Sequence, residues 1–414
     1  MTTTASEPAA QRFTLGVNYW PRRKAMGWWP SFDRAEVDDE FAVIAELGLD
    51  VVRVFLLWDD WQPTPERVDG ARLRDLEHVC DAAAKHRLGL DVTFFTGHMS
   101  GPNWAPRWLL SDGPYPAAGP PRQVVSGGVS VDRSYRNPFT DATALAAQRL
   151  LLRTVVGALR DHQAIWMWNL GNEPDLFAWP PTAHDGRAWT ADMTALIHEF
   201  DDRHPVTCGL HLPSLLQDNG LRVHDVFAET DAAVMHAYPM YLPWARSPLD
   251  PDLVPFSCAL TSALCGKPTL MEEWGGPTLP PGEASRVITW TSRGLQRSQF
   301  MASEDDLDDY VSAVLPRLVA AGASGAMLWC FADYHASLWD RPPCDEAIHE
   351  RSFGLVRSDG SLKPHARTLA RFARTAPLRR AEPLDALVLD VTPEAYYEAP
   401  EAHARRLYQA YLEP

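Results

Sequence analysis

The sequence predicts an α/β protein, a (β/α)₈ TIM barrel with a small C-terminal strand and helix extension. Short apolar runs alternate with amphipathic helical stretches along most of the 414 residues, and eight such pairs can be counted. The composition, 46% hydrophobic and 22% charged, is that of a globular chain that can bury a large core. We expect one catalytic barrel over residues 1–374 and an extension over residues 375–414 that packs on it.

The predicted elements follow one another in βα pairs. Apolar runs predict eight strands, at residues 13–18, 51–57, 90–95, 164–170, 206–210, 232–236, 268–272 and 325–329. Helical periodicity predicts the connecting helices, most clearly at residues 35–47, 73–86, 142–159 and 362–373. Gly48 ends the first of these helices.

Two stretches depart from this regular pattern. The third strand is followed by a segment up to Asn137 that is rich in proline and glycine, which predicts a long loop without regular structure. Such a loop could wall an active site. Beyond the barrel, an apolar run at residues 384–391 predicts a strand, and residues 402–412 predict a helix.

Charge and composition argue against several partners and locations. The formal net charge of −16 would repel phosphate backbones and anionic lipid headgroups, so we expect neither a nucleic-acid nor a membrane partner. The six cysteines include no CxxC pair, which predicts reduced thiols. The first 13 residues lack a basic and apolar signal pattern, and no 18-residue apolar run occurs, so we expect a cytoplasmic protein.

Several enzyme classes lack their usual signals. The sequence contains no Gly-x-Ser-x-Gly elbow, no P-loop and no Gly-x-Gly-x-x-Gly fingerprint, which argues against serine hydrolases, nucleotide hydrolases and dinucleotide oxidoreductases. The indole rings of the sixteen tryptophans could stack on the flat C–H faces of sugars, although many of these residues could simply belong to the core.

A carboxylate ends the predicted fourth strand. Asn172 and Glu173 follow an apolar run and are followed at once by Pro174. Because the carboxyl ends of barrel strands face the active site, Glu173 should point towards a substrate. Taken alone, it could equally cap the next turn.

A second carboxylate ends the predicted seventh strand, where Glu272 and Glu273 precede Trp274 and Gly275. The separation, 273 − 173 = 100 residues, corresponds to roughly three βα units of about 31 residues, so the two strand ends face each other across the barrel mouth. Two carboxylates ~5–5.5 Å apart hydrolyse glycosides with retention. The general acid needs a raised pKa, which the charge of the nearby nucleophile should supply. The nucleophile must stay ionised, for which Arg53 is a plausible hydrogen-bond donor.

These residues resemble the clan of (β/α)₈ retaining glycosidases, whose pattern places Asn-Glu at the end of strand four and Glu-aromatic-Gly at the end of strand seven. The resemblance covers roughly residues 16–329. It implies that Glu173 is the general acid/base and Glu273 the nucleophile, and that Glu272 points away. The further matches are Arg53 on strand two, His236 and Tyr238 at the end of strand six, and Trp329 at the end of strand eight.

By the same resemblance, Asn172 would hold the 2-hydroxyl of the sugar, Tyr238 would hydrogen-bond to the nucleophile, and Trp329 would be the platform under the sugar. The stretches 16–21, 28–29 and 53–58 look most like glycoside hydrolase family five, and specifically like its intracellular β-mannosidase-type members.

Other candidate substrate-binding residues have ordinary structural alternatives. His98 and His236 could hold sugar hydroxyls, and the alternative for His98 is a solvated loop histidine. The remaining candidates could contact sugar or belong to the core, and they are Asn18, Trp20, Trp58 and Trp104. The acidic runs at residues 59–60 and 304–309 lack the spacing of a calcium loop, and the second is better explained by helix capping, so we expect no metal and no cofactor.

The sequence therefore predicts a retaining exo-β-glycosidase, a β-mannosidase acting on short oligosaccharides in a pocket walled by the third loop and by the loops at residues 239–255 and 277–303. A β-glucosidase or an endo-acting β-mannanase or glucanase on the same barrel is the alternative. A non-enzymatic carbohydrate-binding barrel is a second alternative, against which both glutamates argue. The terminal sugar, the linkage and the oligomeric state stay open at this point.

Overall fold

A barrel of eight parallel strands forms the centre of the computed structural model, which describes residues 11–119, 121–375, 378–379 and 386–413. The strands are β1 (Thr14–Asn18), β2 (Val51–Leu57), β3 (Gly89–Thr96), β4 (Ile165–Asn172), β5 (Val206–Gly209), β6 (Ala233–His236), β7 (Thr269–Trp274) and β8 (Gly325–Leu328). Strands adjacent in the chain are adjacent in the sheet, and β8 pairs with β1. Hydrogen bonds from Asp231 N to Val206 O and from His236 N to Leu210 O, both 2.9 Å, join β5 to β6. The predicted (β/α)₈ fold is confirmed.

A helix follows each strand. In chain order these are α1 (Arg34–Glu46), α2 (Gly70–His86), α3 (Ala142–Leu159), α4 (Ala183–His198), α5 (Val223–Ala228), α6 (Leu253–Cys265), α7 (Glu304–Ala320) and α8 (Pro364–Thr375). Polar side chains cap several of their amino termini, and the Ser303 hydroxyl accepts a hydrogen bond from Asp306 N at 3.0 Å at the start of α7. The acidic run at residues 304–309 begins in the first turn of α7, where it complements the helix dipole.

Helix α3 is the one helix of the described residues that is long and apolar enough to cross a bilayer, judged by length and composition. Its apolar stretch is interrupted by Arg149 and Arg153, and its inner face, which includes Leu151 and Val155, is buried in the protein core. The packing is that of a core helix on the outside of a barrel.

The long segment after β3 has more regular structure than the sequence predicts. It contains short strands at Asn103–Trp104, Leu110–Ser111, Val124–Ser126, Val129–Val131 and Ser134–Tyr135. The expectation of an irregular loop is therefore wrong, because pairing between distant parts of the segment satisfies backbone groups that local sequence does not reveal. The loop expected at residues 277–303 likewise contains an antiparallel hairpin, Arg286–Ser292 with Leu295–Met301.

Short helical turns complete the loops. They are Ala25–Gly27, Trp58–Trp61, Arg107–Leu109, Pro174–Phe177, Leu212–Leu216, Pro239–Tyr241, Ala336–Leu338, Ile348–Ser352 and Pro393–Tyr396. Most of them lie on the carboxyl side of the barrel strands, where they shape the mouth of the barrel.

The C-terminal extension differs from the prediction in its strand. The predicted strand at residues 384–391 begins outside the described residues, and residues 386–391 form bends and irregular structure. The strand observed instead is Leu378–Arg379, which pairs antiparallel with Gln11–Arg12. The predicted helix is present as α9 (Pro400–Leu412).

Tyrosine hydroxyls connect this extension to the barrel loops. Tyr396 donates to Leu215 O, Tyr397 donates to Ser214 O, and Tyr408 donates to Asp250 Oδ2, each at 2.7 Å. The Tyr397 hydroxyl also accepts a hydrogen bond from Val223 N at 2.8 Å. These contacts lie between the extension and the helices on one side of the barrel.

We expect Tyr397→Phe to lower the free energy of unfolding by about 1–3 kcal/mol, because it leaves the buried amide of Val223 and the carbonyl of Ser214 without their partner. Urea denaturation measures the change. Tyr411→Phe is the matched control, since this tyrosine on α9 of the same extension is half-buried and its ring packs against Phe256. Equal midpoints for the Tyr397 and Tyr411 variants would contradict the structural role of the Tyr397 hydroxyl.

Candidate active site

Glu173 and Glu273 lie at the carboxyl ends of β4 and β7, on the same side of the barrel. One oxygen from each carboxylate and a ring nitrogen of His236 lie within 4.8 Å of one another. Glu173 has φ 45° and ψ 56°, a left-handed conformation that is costly for a residue with a side chain. It is held there by Pro174 on its carboxyl side and by the 2.9 Å bond from its amide to Gly209 O. The barrel thus brings together two carboxylates that are 100 residues apart in sequence.

Two hydrogen-bond donors point at Glu273. Arg53 Nη1 lies 3.1 Å from Oε2, and the Tyr238 hydroxyl lies 2.8 Å from Oε1. Burial raises the pKa of Glu273 and so does the charge of Glu173, whereas His236, Arg53 and Tyr238 lower it, and the net direction is upward. Arg53 and Tyr238 are thus the groups that favour the ionised form a nucleophile needs.

Arg53 is itself completely buried and is held from several strands. Its Nε donates to Thr93 Oγ1 at 2.9 Å, and its Nη1 donates to Asn18 Oδ1 at 3.2 Å. Asn18 in turn donates to the backbone carbonyl of Glu272 at 2.9 Å. Asn18 therefore orients the arginine from below the pocket.

Glu272 does not point away from the site, contrary to the expectation from the sequence. Its Oε2 lies 2.9 Å from His236 Nε2 and 3.3 Å from Arg53 Nη2, and its Oε1 accepts from Asn169 Nδ2 at 2.9 Å. A register irregularity in the pairing of β6 with β7, between the Met235 and His236 positions, accompanies this departure from strict strand alternation. Glu272 consequently lies in the barrel interior as a second counter-charge for Arg53.

Two histidines surround Glu173. His236 Nδ1 lies 3.0 Å and His211 Nδ1 3.4 Å from Glu173 Oε1, while His211 Nε2 lies 2.8 Å from Asp175 Oδ1. Burial alone would lower the pKa of His211, but Asp175 and Glu173 raise it to about 10. Burial would also lower the pKa of His236, but Glu273, Glu173 and Glu272 raise it. The charges around both rings therefore favour their protonated forms next to Glu173.

The pKa of Glu173 differs from the expectation for a general acid. Burial would raise this pKa, but the charges and hydrogen bonds of His211 and His236 hold it well below its usual value in the unliganded site. The expectation that the nearby nucleophile raises it is wrong, because the charges and hydrogen bonds of two histidines outweigh the effect of one carboxylate.

The carboxylate pair opens into a cavity of about 1330 Å³. Among the predicted site residues, His98, Asn172, His236, Tyr238 and Trp329 line it together with the two glutamates. Asn172 Nδ2 donates to His98 O at 3.2 Å, and Asn172 Oδ1 has no hydrogen-bond partner in the described part of the chain. This oxygen is therefore available to a hydroxyl of a ligand.

His98 is held as a neutral ring rather than as a solvated loop residue. It is 5% exposed, its Nδ1 lies 2.7 Å from Asn103 Oδ1, and burial lowers its pKa to about 4. Asn103 is fixed by the hydroxyls of Tyr115 and Tyr135, at 2.5 and 2.6 Å. The loop after β3 thus holds the ring of His98 in place at the cavity wall.

Three predicted tryptophans lie behind the pocket wall rather than on it. Trp20 stacks on Phe55 at 5.1 Å, Trp58 donates to Gln62 Oε1 at 2.6 Å, and Trp104 donates to Met99 O at 3.2 Å. All three are at least 96% buried, so they belong to the core rather than to the sugar-binding surface. A tryptophan after a strand end serves packing as well as sugar binding, and sequence alone does not separate the two.

His211 and Asp175 are site residues that the sequence analysis did not single out. His211 follows the predicted fifth strand by one residue, so the strand-end argument that identified Glu173 would also have identified it. Asp175 lies two residues after Glu173 in the turn Pro174–Phe177. Glu173, His236 and Glu273 are also spaced so that they could ligate a cation, although Glu173 Oε1 and His236 Nδ1 already contact each other at 3.0 Å.

The chain resembles known mannosidases in sequence and in fold. No protein-family model matches the chain. Mannan endo-1,4-beta-mannosidase A of Hypocrea jecorina is 24% identical over 317 residues, which are 66% of this chain and 64% of that protein, so the match spans less than two thirds of the relative.

Two solved structures share the fold. GH5_18 from Streptomyces cattleya, a variant in complex with Manb1-4GlcNAc, has a TM-score of 0.77 and 21% identity, with 97% of this chain and 91% of that chain covered. The exo-beta-1,4-mannosidase Op5Man5 from Opitutaceae bacterium strain TAV5 has a TM-score of 0.70 and 25% identity, with 91% and 62% covered. The resemblance to family-five glycoside hydrolases that the sequence predicts is confirmed.

The proton on His211 makes stability depend on pH. Because its pKa is about 10 in the folded protein against an ordinary value near 6.5, the stabilisation is fully present below about pH 6.5 and is lost as the pH rises towards 10. We expect the free energy of unfolding of the wild type to fall more steeply between pH 7 and pH 10 than that of His211→Gln. Urea denaturation across this range measures both slopes.

His335→Gln, which changes an exposed histidine, is the control and should keep the wild-type slope. Identical slopes for the wild type and His211→Gln would show that His211 does not hold the extra proton.

Proposed function

We propose that the protein is a retaining exo-β-glycosidase, a β-mannosidase that removes the terminal β-mannosyl residue from short oligosaccharides. The observation that carries the proposal is the pair formed by Glu173 and Glu273, whose nearest oxygens lie within 4.8 Å at the bottom of the cavity. Retaining glycosidases have carboxyl groups only ~5–5.5 Å apart, whereas inverting enzymes keep ~6.5–9.5 Å for a water molecule.

In the first step, Glu273 attacks the anomeric carbon and the bond to the leaving oxygen breaks. Glu173 gives that oxygen a proton, which reaches Glu173 from His236 or His211 across contacts of 3.0 and 3.4 Å. The carboxylate that attacks is the one whose ionised form Arg53 and Tyr238 stabilise. The products are a glycosyl-enzyme ester on Glu273 and the free aglycone alcohol.

In the second step, Glu173 accepts a proton from a water molecule, and the oxygen of that water attacks the anomeric carbon. The ester bond to Glu273 breaks, and the sugar leaves with its original anomeric configuration. The proton returns to the group formed by Glu173 and its two histidines, so the site is regenerated. This chemistry uses no metal and no cofactor.

The choice of a β-mannoside rests on the relatives and on the pocket. The sequence relative is named a mannan endo-mannosidase, and the solved structures include an exo-β-1,4-mannosidase and a complex with Manb1-4GlcNAc. In this chain, Asn172 Oδ1 is free to accept from the sugar's 2-hydroxyl, and Trp329 provides an apolar face in the cavity. We therefore include β-1,4-linked mannooligosaccharides and Manβ1-4GlcNAc among the candidate substrates.

Exo action is favoured by the walls around the carboxylate pair. The segment after β3, the hairpin Arg286–Met301 and the loop after β8 all line the cavity. An endo-acting enzyme needs a cleft open at both ends, and the name of the mannanase relative keeps endo action as the second candidate. The products formed from a longer substrate distinguish the two.

We expect the wild type to hydrolyse p-nitrophenyl β-mannoside in preference to the β-glucoside, β-galactoside, β-xyloside and α-mannoside. Glu273→Gln removes the attacking carboxylate and should lower kcat by about 10⁴-fold or more. Asp132→Asn, at the exposed rim of the cavity, is the control and should keep wild-type rates within about threefold. Release of p-nitrophenol from another β-glycoside would support the mechanism but contradict the choice of mannose. No hydrolysis of any of these substrates would contradict the proposal.

We expect mannotetraose to yield mannose and mannotriose first, with the new mannose appearing as the β-anomer before it mutarotates. Time-resolved ¹H NMR of the anomeric protons reads both properties in one experiment. Early mannobiose would indicate endo action, and an initial α-anomer would exclude the double displacement through Glu273.

A further inference from the structure

Another buried carboxyl group, that of Glu350, lines the cavity and has no role in the mechanism above. It lies on the short helix Ile348–Ser352 in the loop after β8 and is only 9% exposed. Its Oε2 has no hydrogen-bond partner among the residues that the structure describes. A buried polar group without a partner costs free energy, so such a group at a cavity wall calls for an explanation.

The surroundings of Glu350 do not neutralise it. Its ion-pair contact is with His349 Nε2 at 3.5 Å, and burial lowers the pKa of His349 to about 4, so that ring is neutral. The adjacent Arg351 is turned elsewhere, because its guanidinium donates to Cys344 O at 2.7 and 2.9 Å and lies over the Trp339 ring. Glu350 therefore faces the cavity without a cationic partner among the described residues.

The groups that Glu350 does approach are those of the sugar site. Burial raises its pKa to about 8, the polar groups of the neighbouring Ser100 and Trp329 oppose this rise, and the charges of Glu273 and Glu173 add to it. At neutral pH the carboxyl group is therefore largely protonated, so that it can both donate and accept a hydrogen bond. It lies beside Trp329, the aromatic face on which a sugar ring would rest.

We propose that Glu350 binds a free hydroxyl of the terminal sugar on Trp329 and thereby selects an unsubstituted, non-reducing end. A sugar hydroxyl is a donor and an acceptor, so it satisfies the oxygen that the protein leaves unpaired. A further sugar attached at that hydroxyl would replace the donor hydrogen with a carbon substituent next to a buried wall. This specificity role rests on the proposed glycosidase function. It would explain why the enzyme acts on the end of a sugar chain rather than within it.

The first test pairs Glu350 variants with monodeoxy p-nitrophenyl β-mannosides. We expect Glu350→Ala to lower kcat/KM on the parent substrate about 10- to 100-fold. For the wild type, we expect kcat/KM on one of the monodeoxy substrates to be lower than on the parent substrate by a similar factor. On that substrate, Glu350→Ala should cause little further loss. Glu350→Gln, whose amide can donate and accept, should recover most of the activity.

A second measurement does not depend on turnover. Titration calorimetry of mannose should show weaker binding by Glu350→Ala than by the wild type, while Glu346→Ala should bind as the wild type does. Glu346 lies near Glu350 in the chain, but its carboxylate contacts Ser292 Oγ of the hairpin at 3.2 Å. Thermal melting of Glu350→Ala should equal or exceed that of the wild type, because the variant removes an unpaired buried group.

The outcomes separate the two proposals. If the wild type hydrolyses β-mannosides but neither the deoxy series nor the affinity for mannose responds to Glu350, the specificity role fails and the glycosidase stands. If the wild type hydrolyses no glycoside yet binds mannose in a Glu350-dependent way, the glycosidase fails and the sugar contact stands. A uniform loss on all substrates together with a lowered melting temperature would assign Glu350 a structural role and overturn the inference.

Discussion

The buried guanidinium of Arg53 is the contact on which the arrangement of the site depends. An arginine with no exposed surface is tolerated only if nearby anions compensate the loss of its hydration, and Glu272 and Glu273 lie 3.3 and 3.1 Å from it. The cation comes from β2 and the anions come from β7. Their attraction therefore fixes the positions of these two strands relative to each other across the barrel. Gly209 shows how tightly this is packed, since a Cβ there would lie 2.8 Å from Arg53 Nη2 and 2.6 Å from Gly171 O.

The positive charge of one guanidinium does not balance the negative charges of all the carboxylates at this end of the barrel. Glu173 and Asp175 approach from β4 and its following turn, and their compensating charge comes from His211 and His236. A histidine between two carboxylates keeps its proton well above neutral pH, as the pKa of about 10 for His211 reflects. Charge balance among these buried groups thus favours protonated histidines beside Glu173, where the proposed acid catalysis would use their protons. The same constraint that stabilises the barrel interior prepares its chemistry.

The sequence predicts the parts of the site that follow from strand ends. Glu173 and Glu273 follow apolar runs that predict strands. Because the carboxyl ends of all eight parallel strands lie on the same side of a barrel, the sequence alone predicts that the two side chains lie near each other. His211 obeys the same rule and was missed because its strand, unlike those before Glu173 and Glu273, ends in no acidic residue. Trp58 and Trp104 show the limit of arguments from residue type, since their positions depend on packing partners that are distant in sequence.

Glu350 could not have been found from sequence, because no strand, helix period or motif fixes the loop that carries it. Tertiary contacts fix it instead: the buried ammonium of Lys363 donates to Ser352 O at 2.9 Å, to Asp333 Oδ1 at 2.7 Å and to Thr278 Oγ1 at 2.7 Å. These bonds join the end of the short helix that bears Glu350 to the loops after β7 and β8. A side chain on a loop held in this way can be as well positioned as one on a strand. The barrel strands therefore position the carboxylate pair, and the anchored loop after β8 positions the carboxyl group that we propose selects the sugar end.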